Sequence, residues 1–200
     1  CEDTRQTLKL LARYNLQKKL ISYYRPKEGH KIPQILGLLK TGGDVALVSD
    51  SGTPGISDPG YLLIREAIAA DIQIVPVPGP SAVIAALSAS GLPTHRFLFF
   101  GFPSPKREKT RKLLQSLERE EATLIFYLPT RKIQDFLVLL EETLGNRPAV
   151  IAREITKVHE EFLRGTVREL REQAEKRDLK GEATILVRGY GKLGPGPHPG

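Results

Sequence analysis

Two stretches constrain this chain more than any others. Each runs an apolar segment straight into a bend stiffened by proline and glycine. The first is VALVSDSGTPGISDPG, residues 45–60, and the second is IQIVPVPGPSAVIAALSAS, residues 72–90. Val45–Val48 and Ile72–Val77 are short apolar runs of the kind that form buried strands. Tyr61–Ala70 and Ala82–Ser90 follow them with helical spacing, and Gly91 is placed to stop the second helix. Strand, helix, strand, helix in that order predicts an α/β chain whose N-terminal part holds a mostly parallel sheet.

The remaining pattern fills in around this unit. Thr4–Tyr14 reads as an amphipathic helix that Asp3 or Thr4 can cap. Leu20–Tyr24 is strand-like, and Ile32–Leu39 has helical spacing ended by Gly42-Gly43. The sequence GLPTHR, Gly91–Arg96, punctuates the chain and marks a domain boundary. Beyond it the expected order is a strand at Phe97–Phe102, a basic loop entering a helix, a strand at Thr123–Leu128 and a helix at Ile133–Leu144. Strands at Ala149–Arg153 and Glu160–Leu163, a helix at Val167–Lys176 and a strand at Ala183–Val187 complete it. The domains are therefore read as 1–92 and 95–189, the second a mixed sheet with helices. A Gly/Pro-rich tail, 190–200, is expected to be disordered.

Composition narrows the function classes. Apolar residues make up 40% and charged residues 26%, which excludes a wholly disordered chain. No apolar run reaches the ~18 residues that a membrane-spanning helix needs. One cysteine excludes an intrachain disulfide framework and fits a reducing compartment, and no Cys/His cluster has metal-ligand spacing. The chain contains no methionine, so Cys1 is read as starting inside a longer protein. The net charge of +7 lies mostly in residues 95–200. Such a balance suits a polyanionic partner, since Lys and Arg on phosphates release counterions, and it also serves solubility alone.

The two bends carry the chemistry. In α/β sheets, ligands bind beyond the carboxyl ends of strands. Glycine lets backbone approach a ligand closely, and proline fixes the path. Asp50 stands at a strand end, where a carboxylate meets a ribose hydroxyl or a cation; as a plain connection, Asp50 and Asp58 are turn residues. The PGPS turn, Pro78–Ser81, feeds a helix start, with Ser81 as its cap. Neither bend has the spacing of a nucleoside-triphosphate loop or a dinucleotide fingerprint.

The strings CEDTR, SDSGTPGISDP and VPGPSA occur in that order, followed by REITKVHEEFLRGT and KGEATILV. Together they resemble the tetrapyrrole methylase superfamily. The likeness is to its branch that methylates the ribose 2′-oxygen of a cytidine in small-subunit (16S) ribosomal RNA. It spans Cys1 to about Gly189, and GTPGISDPG and EDTR are specific to that branch. The resemblance implies a two-domain α/β methyltransferase, cytoplasmic and homodimeric. It also implies S-adenosylmethionine folded in a cleft between the domains, and a small-subunit RNA or assembled subunit as partner. Carried over by position, the cofactor contacts are Asp50, Ser51, Gly52, Thr53, Pro54 and Ser57, then Pro78, Gly79, Pro80, Ser81 and Ala82. From the second domain they are Tyr127, Leu128, Glu182 and Ala183. The pattern departs at FYLPTRK, Phe126–Lys132, where relatives show FYE-x-PHR.

Methyl transfer to a hydroxyl is a direct displacement and needs alignment and a proton acceptor, but no metal. The acceptor candidates are Asp3, Asp50 and Asp58, with Glu2 ranked last. Arg5 is positioned to hold a phosphate, or else faces solvent beside a capping Asp3. Lys106, Arg107, Lys109, Arg111 and Lys112 are the expected RNA contact, extended by Arg131, Lys132, Lys157, His159 and Arg164. A flipped base would stack on Tyr23, Tyr24 or Phe102. Two alternatives stay open: a tetrapyrrole or other small-molecule methylase, and a non-catalytic RNA-binding or dimerisation piece.

Overall fold

A computed structural model describes residues 1–177 and 179–191. The expected disordered tail lies outside the described residues from position 192 onward. The chain divides into two compact units, Cys1–Ser81 and Ala82–Gly200.

The first unit is helical. It holds α1 (Thr4–Arg13), α2 (Glu28–Lys40, entered through a short 3-10 turn) and α3 (Tyr61–Ala69). Its small core joins Tyr23, Ile35 and Leu63, with Leu47 and Ile32 packed against them. The class is α/β, but no strand forms here among the described residues, which corrects the expected N-terminal parallel sheet. Val45–Val48 and Ile72–Val77 run without ladder partners, and Val75 and Val77 are 69% and 82% exposed. Leu20–Tyr24 likewise forms no ladder. An apolar run becomes a strand only when a neighbouring chain takes its N–H and C=O groups.

The second unit carries the sheet. Its elements are α4 (Ala82–Ser88), β1 (Phe97–Phe99), α5 (Arg107–Ser116), β2 (Thr123–Pro129), α6 (Ile133–Leu144), β3 (Pro148–Arg153), β4 (Glu161–Thr166), α7 (Val167–Glu175) and β5 (Glu182–Val187). The strand order is β1-β2-β5-β3-β4. β1 and β2 run parallel, and every other pair is antiparallel.

Side chains alternate across this sheet, so both faces are buried. Leu124, Phe126 and Leu128 join Ile151, Ile185 and the inward residues of α5, α6 and α7 on one face. Ile125, Val150, Ala152 and Leu186 meet Val83, Ala86 and Leu87 of α4 on the other. Helix α4 thus packs on the second unit's sheet, ahead of the Gly91–Arg96 punctuation. Helix ends follow local chemistry. Asp3 caps α1, and Thr166 with Glu169 forms a capping box on α7.

Candidate active site

The loop 49–60 is held by contacts from three directions within the first unit. The Ser49 hydroxyl donates to the carbonyls of Ser51 (3.1 Å) and Gly52 (3.4 Å), closing a turn. Gly52 has φ +75°, a conformation that excludes most side chains without strain. The Thr53 hydroxyl donates to the Pro80 carbonyl at 2.9 Å. That bond ties the first bend to the second, so the two stiff loops form one surface. Arg25 donates to the Ser57 carbonyl at 2.9 Å. The Asp3 backbone N–H donates to the Asp50 carboxylate at 3.1 Å, which fastens the EDTR segment to the same loop. Gly60 closes the loop: a Cβ there would lie 3.0 Å from the Gly55 nitrogen and 3.2 Å from Leu47.

Three carboxylates gather at this point. Burial pushes the Glu2 carboxyl above the usual range, and the charges of Asp58 and Asp50 push it the same way. The Asp50 backbone N–H and Arg25 offset part of that shift. Asp3 behaves in the opposite sense. Hydrogen bonds from the Arg5 side chain and backbone hold its carboxyl at about 2. Asp3 accepts from the Arg5 N–H at 2.8 Å as the α1 cap, and its second oxygen meets the Arg5 guanidinium at 2.6 Å.

Asp3 caps α1 and pairs with Arg5, which is the capping alternative the sequence offered for it. The Arg5 guanidinium is bound to Asp3 while its side chain stays 85% exposed. Glu2, ranked last from sequence, is the carboxylate of this group whose pKa burial and two acidic neighbours raise. Arg25 carries no sequence signal for its part, because the Ser57 contact depends on how the loop folds back. Ser51, Pro78, Gly79 and Pro80 are exposed, while Thr53, Pro54, Ser57 and Asp58 are half-buried. Helix α4, which starts at Ala82, has seven residues and adds little dipole to the PGPS turn.

The second-unit candidates group by themselves. Register pairs Leu128 with Ala183 and Pro129 with Glu182, so Tyr127, Leu128, Glu182 and Ala183 share one end of the β2–β5 ladder. The basic helix start is partly neutralised. Arg107 and Arg111 both reach Glu142 of α6, at 3.5 and 2.7 Å. Lys106, Lys109 and Lys112 are exposed and make no ion pair among the described residues. Lys157 pairs with Glu154, and Arg164 donates to the Ala89 carbonyl while lying over Phe162. His159 is exposed. Tyr23, one of the stacking candidates, is 1% exposed and belongs to the first unit's core. Tyr24 is half-buried, whereas Phe102 is 52% exposed. Among the described residues no group of His, Cys, Asp and Glu side chains is placed to hold a metal, and no helix is long and apolar enough to cross a membrane.

Comparison with known proteins decides the family. The pattern of the Tetrapyrrole (Corrin/Porphyrin) Methylases matches residues 18–171. The chain belongs to the tetrapyrrole methylase family. It is 43% identical over 189 residues to the ribosomal RNA small subunit methyltransferase I of Hydrogenobaculum sp., covering 94% of this chain and 82% of that protein. The protein of the same name from Xylella fastidiosa is 46% identical over 191 residues, covering 94% of this chain and 70% of that one. The protein of the same name from Micromonospora olivasterospora is covered to 60% of its length. Among solved structures, the methyltransferase CobJ has a TM-score of 0.66 at 23% identity, covering 94% of this chain and 83% of that one. A uroporphyrin-III C-methyl transferase from Thermus thermophilus, complexed with S-adenyl homocysteine, has a TM-score of 0.55 at 19% identity, covering 84% and 75%. At these identities the structures establish the fold.

This tetrapyrrole methylase is therefore a methyltransferase, and its family uses S-adenosylmethionine. The first unit's loops suit that donor chemically. S-adenosylmethionine carries a sulfonium and an ammonium group, and Asp50, Asp58 and Glu2 supply negative charge where backbone at Gly52 and Gly79 leaves room for close approach.

Proposed function

We propose that this chain methylates small-subunit ribosomal RNA on the ribose 2′-oxygen of a cytidine, in the cytoplasm and as a homodimer. The observation that carries the reading is the Thr53–Pro80 hydrogen bond, which makes the loops 50–57 and 78–81 one continuous wall. In this reading Asp50, Ser51, Gly52, Thr53, Pro54 and Ser57 hold one side of the cofactor, and Pro78, Gly79, Pro80 and Ser81 the other. When bound, S-adenosylmethionine supplies an activated methyl group.

The chain's own residues do the rest. The stiff loops fix the direction of approach, and alignment is a large part of a displacement of this kind. Asp50 and Asp58 offset the donor's positive charge. Glu2, whose carboxyl is raised by burial and by its acidic neighbours, receives the hydroxyl proton. The names of the relatives support ribosomal RNA as the substrate class, and the positive excess in residues 95–200 supports a polyanion.

The test is transfer of a radiolabelled methyl group from S-adenosylmethionine to small-subunit RNA, followed by digestion to nucleosides. The expected product is 2′-O-methylcytidine. Label on a base, or none in the RNA, overturns the reading.

A further inference from the structure

The second unit contains a cavity of about 310 Å³, lined by Tyr127 and Leu128, which the resemblance offers to the cofactor, and by residues that the sequence offers to RNA. It lies between the loop leading into α5 and the segment running from the end of β2 into α6. Its floor is apolar, from Leu128, Phe136 and Leu139. Phe102 lines it, 52% exposed, with its ring centroid 5.5 Å from that of Tyr127. Arg107, Arg131 and Lys132 also line it, and Asp135 is the carboxylate among the lining residues.

The loop is built to hold this shape. Pro103 and Pro105 restrict its path. The Thr110 hydroxyl donates to the Ser104 carbonyl at 2.9 Å, and the Lys106 N–H donates to the Ser104 hydroxyl at 3.3 Å. The cavity is thus preorganised rather than formed on contact.

We infer that this cavity is a subsite for one nucleotide of the RNA, with its base on Phe102 and its phosphate among Arg107, Arg131 and Lys132. The inference rests on the ribosomal-RNA reading above and names a place for its substrate. An exposed aromatic face stacks on any base. Arg131 and Lys132, joined by Arg107, which also reaches Glu142, select a phosphodiester, because Arg and Lys reward phosphate with charge-assisted hydrogen bonds. They disfavour S-adenosylmethionine, which carries no phosphate and has a net positive charge. The volume stands at the lower end of ligand pockets, about 300–1,000 Å³, and is too small for a four-pyrrole macrocycle. Asp135 offers an acceptor to the exocyclic amine of a base. Lys106, Lys109 and Lys112 continue the positive surface along α5.

The experiment uses the full chain and a short single-stranded RNA carrying 2-aminopurine, whose fluorescence falls when it stacks. Two variants are compared with the unaltered protein: Phe102→Ala, and Arg131→Ala with Lys132→Ala. All three positions contribute no buried side chain to a core cluster other than at the cavity edge. Circular dichroism checks that the fold is kept. Phe102→Ala is expected to abolish the quenching and weaken RNA binding about tenfold. The double variant is expected to reduce the slope of log affinity against log salt by roughly 1.4, the loss of two phosphate contacts on a single strand. Calorimetry with S-adenosylmethionine is expected to give the same affinity for all three proteins. Unchanged quenching and salt slope in the variants overturn the subsite while leaving the RNA reading intact. A parallel loss of S-adenosylmethionine affinity overturns it by assigning the cavity to the cofactor. Failure of the unaltered protein to bind RNA overturns the ribosomal-RNA reading itself, and the subsite with it.

Discussion

Asp50→Ala is expected to weaken S-adenosylmethionine binding by roughly 10- to 150-fold, equivalent to about 1.5–3 kcal/mol for hydrogen bonds to a charged group. Two effects combine at this position. The carboxylate carries negative charge toward a cationic donor, and it accepts the backbone N–H of Asp3 at 3.1 Å. Alanine removes both, so the EDTR segment also loses its tie to the loop. Asp50→Asn separates them, because the amide oxygen still accepts from Asp3 while the charge is gone. Its affinity is expected to lie between those of the alanine variant and the unaltered protein. Calorimetry reads both variants directly. An alanine variant that binds S-adenosylmethionine as tightly as the unaltered chain removes Asp50 from the site.

Phe126→Ala is expected to destabilise the second unit by about 3–5 kcal/mol, the usual cost of emptying a buried aromatic site. Phe126 is fully buried on β2, between β1 and β5 in the sheet. Its ring stacks on Phe100 at 5.1 Å and meets Phe136 edge-on at the same distance. Removing it takes away both aromatic pairs and opens a void between the sheet and α6. β2 is fixed on both sides by ladders to β1 and β5, so the backbone has little freedom to collapse into that void. Urea unfolding, followed by circular dichroism, measures the loss. A change below about 1 kcal/mol would mean that the site relaxes, contrary to a close-packed core.

The sequence was most legible where a segment's own pattern decides its structure. Helix α6 occupies Ile133–Leu144 as its spacing predicts, because Ile133, Phe136, Leu137, Leu140 and Leu144 recur on one face and Gly145 ends it. β2, β3 and β5 were readable as continuous apolar runs, since a strand buried on both faces shows no polar alternation. Val45–Val48 and Ile72–Val77 carry the same signal and form no ladder. Hydrophobicity reports a demand for burial; it does not report whether a pairing partner is present.

The site was legible in part. Glycine and proline announced the two bends, and Gly52 does adopt a left-handed conformation. What tied them together was invisible, because the Thr53–Pro80 bond joins residues whose proximity depends on the fold. The ranking of carboxylates was also beyond local pattern. Asp3 and Glu2 are sequence neighbours, yet one is held at about 2 by Arg5 and the other is raised by burial and two acidic neighbours. The ion pairs of the basic stretch at α5 were hidden in the same way, since Glu142, which meets Arg107 and Arg111, comes from another helix.

The most direct test of the cofactor wall is photo-cross-linking of S-adenosylmethionine to the full chain, with the modified peptides mapped by mass spectrometry. The account predicts label in the segment 50–57 and in the segment 78–81. Label confined to other peptides would contradict it, whatever activity the protein displays.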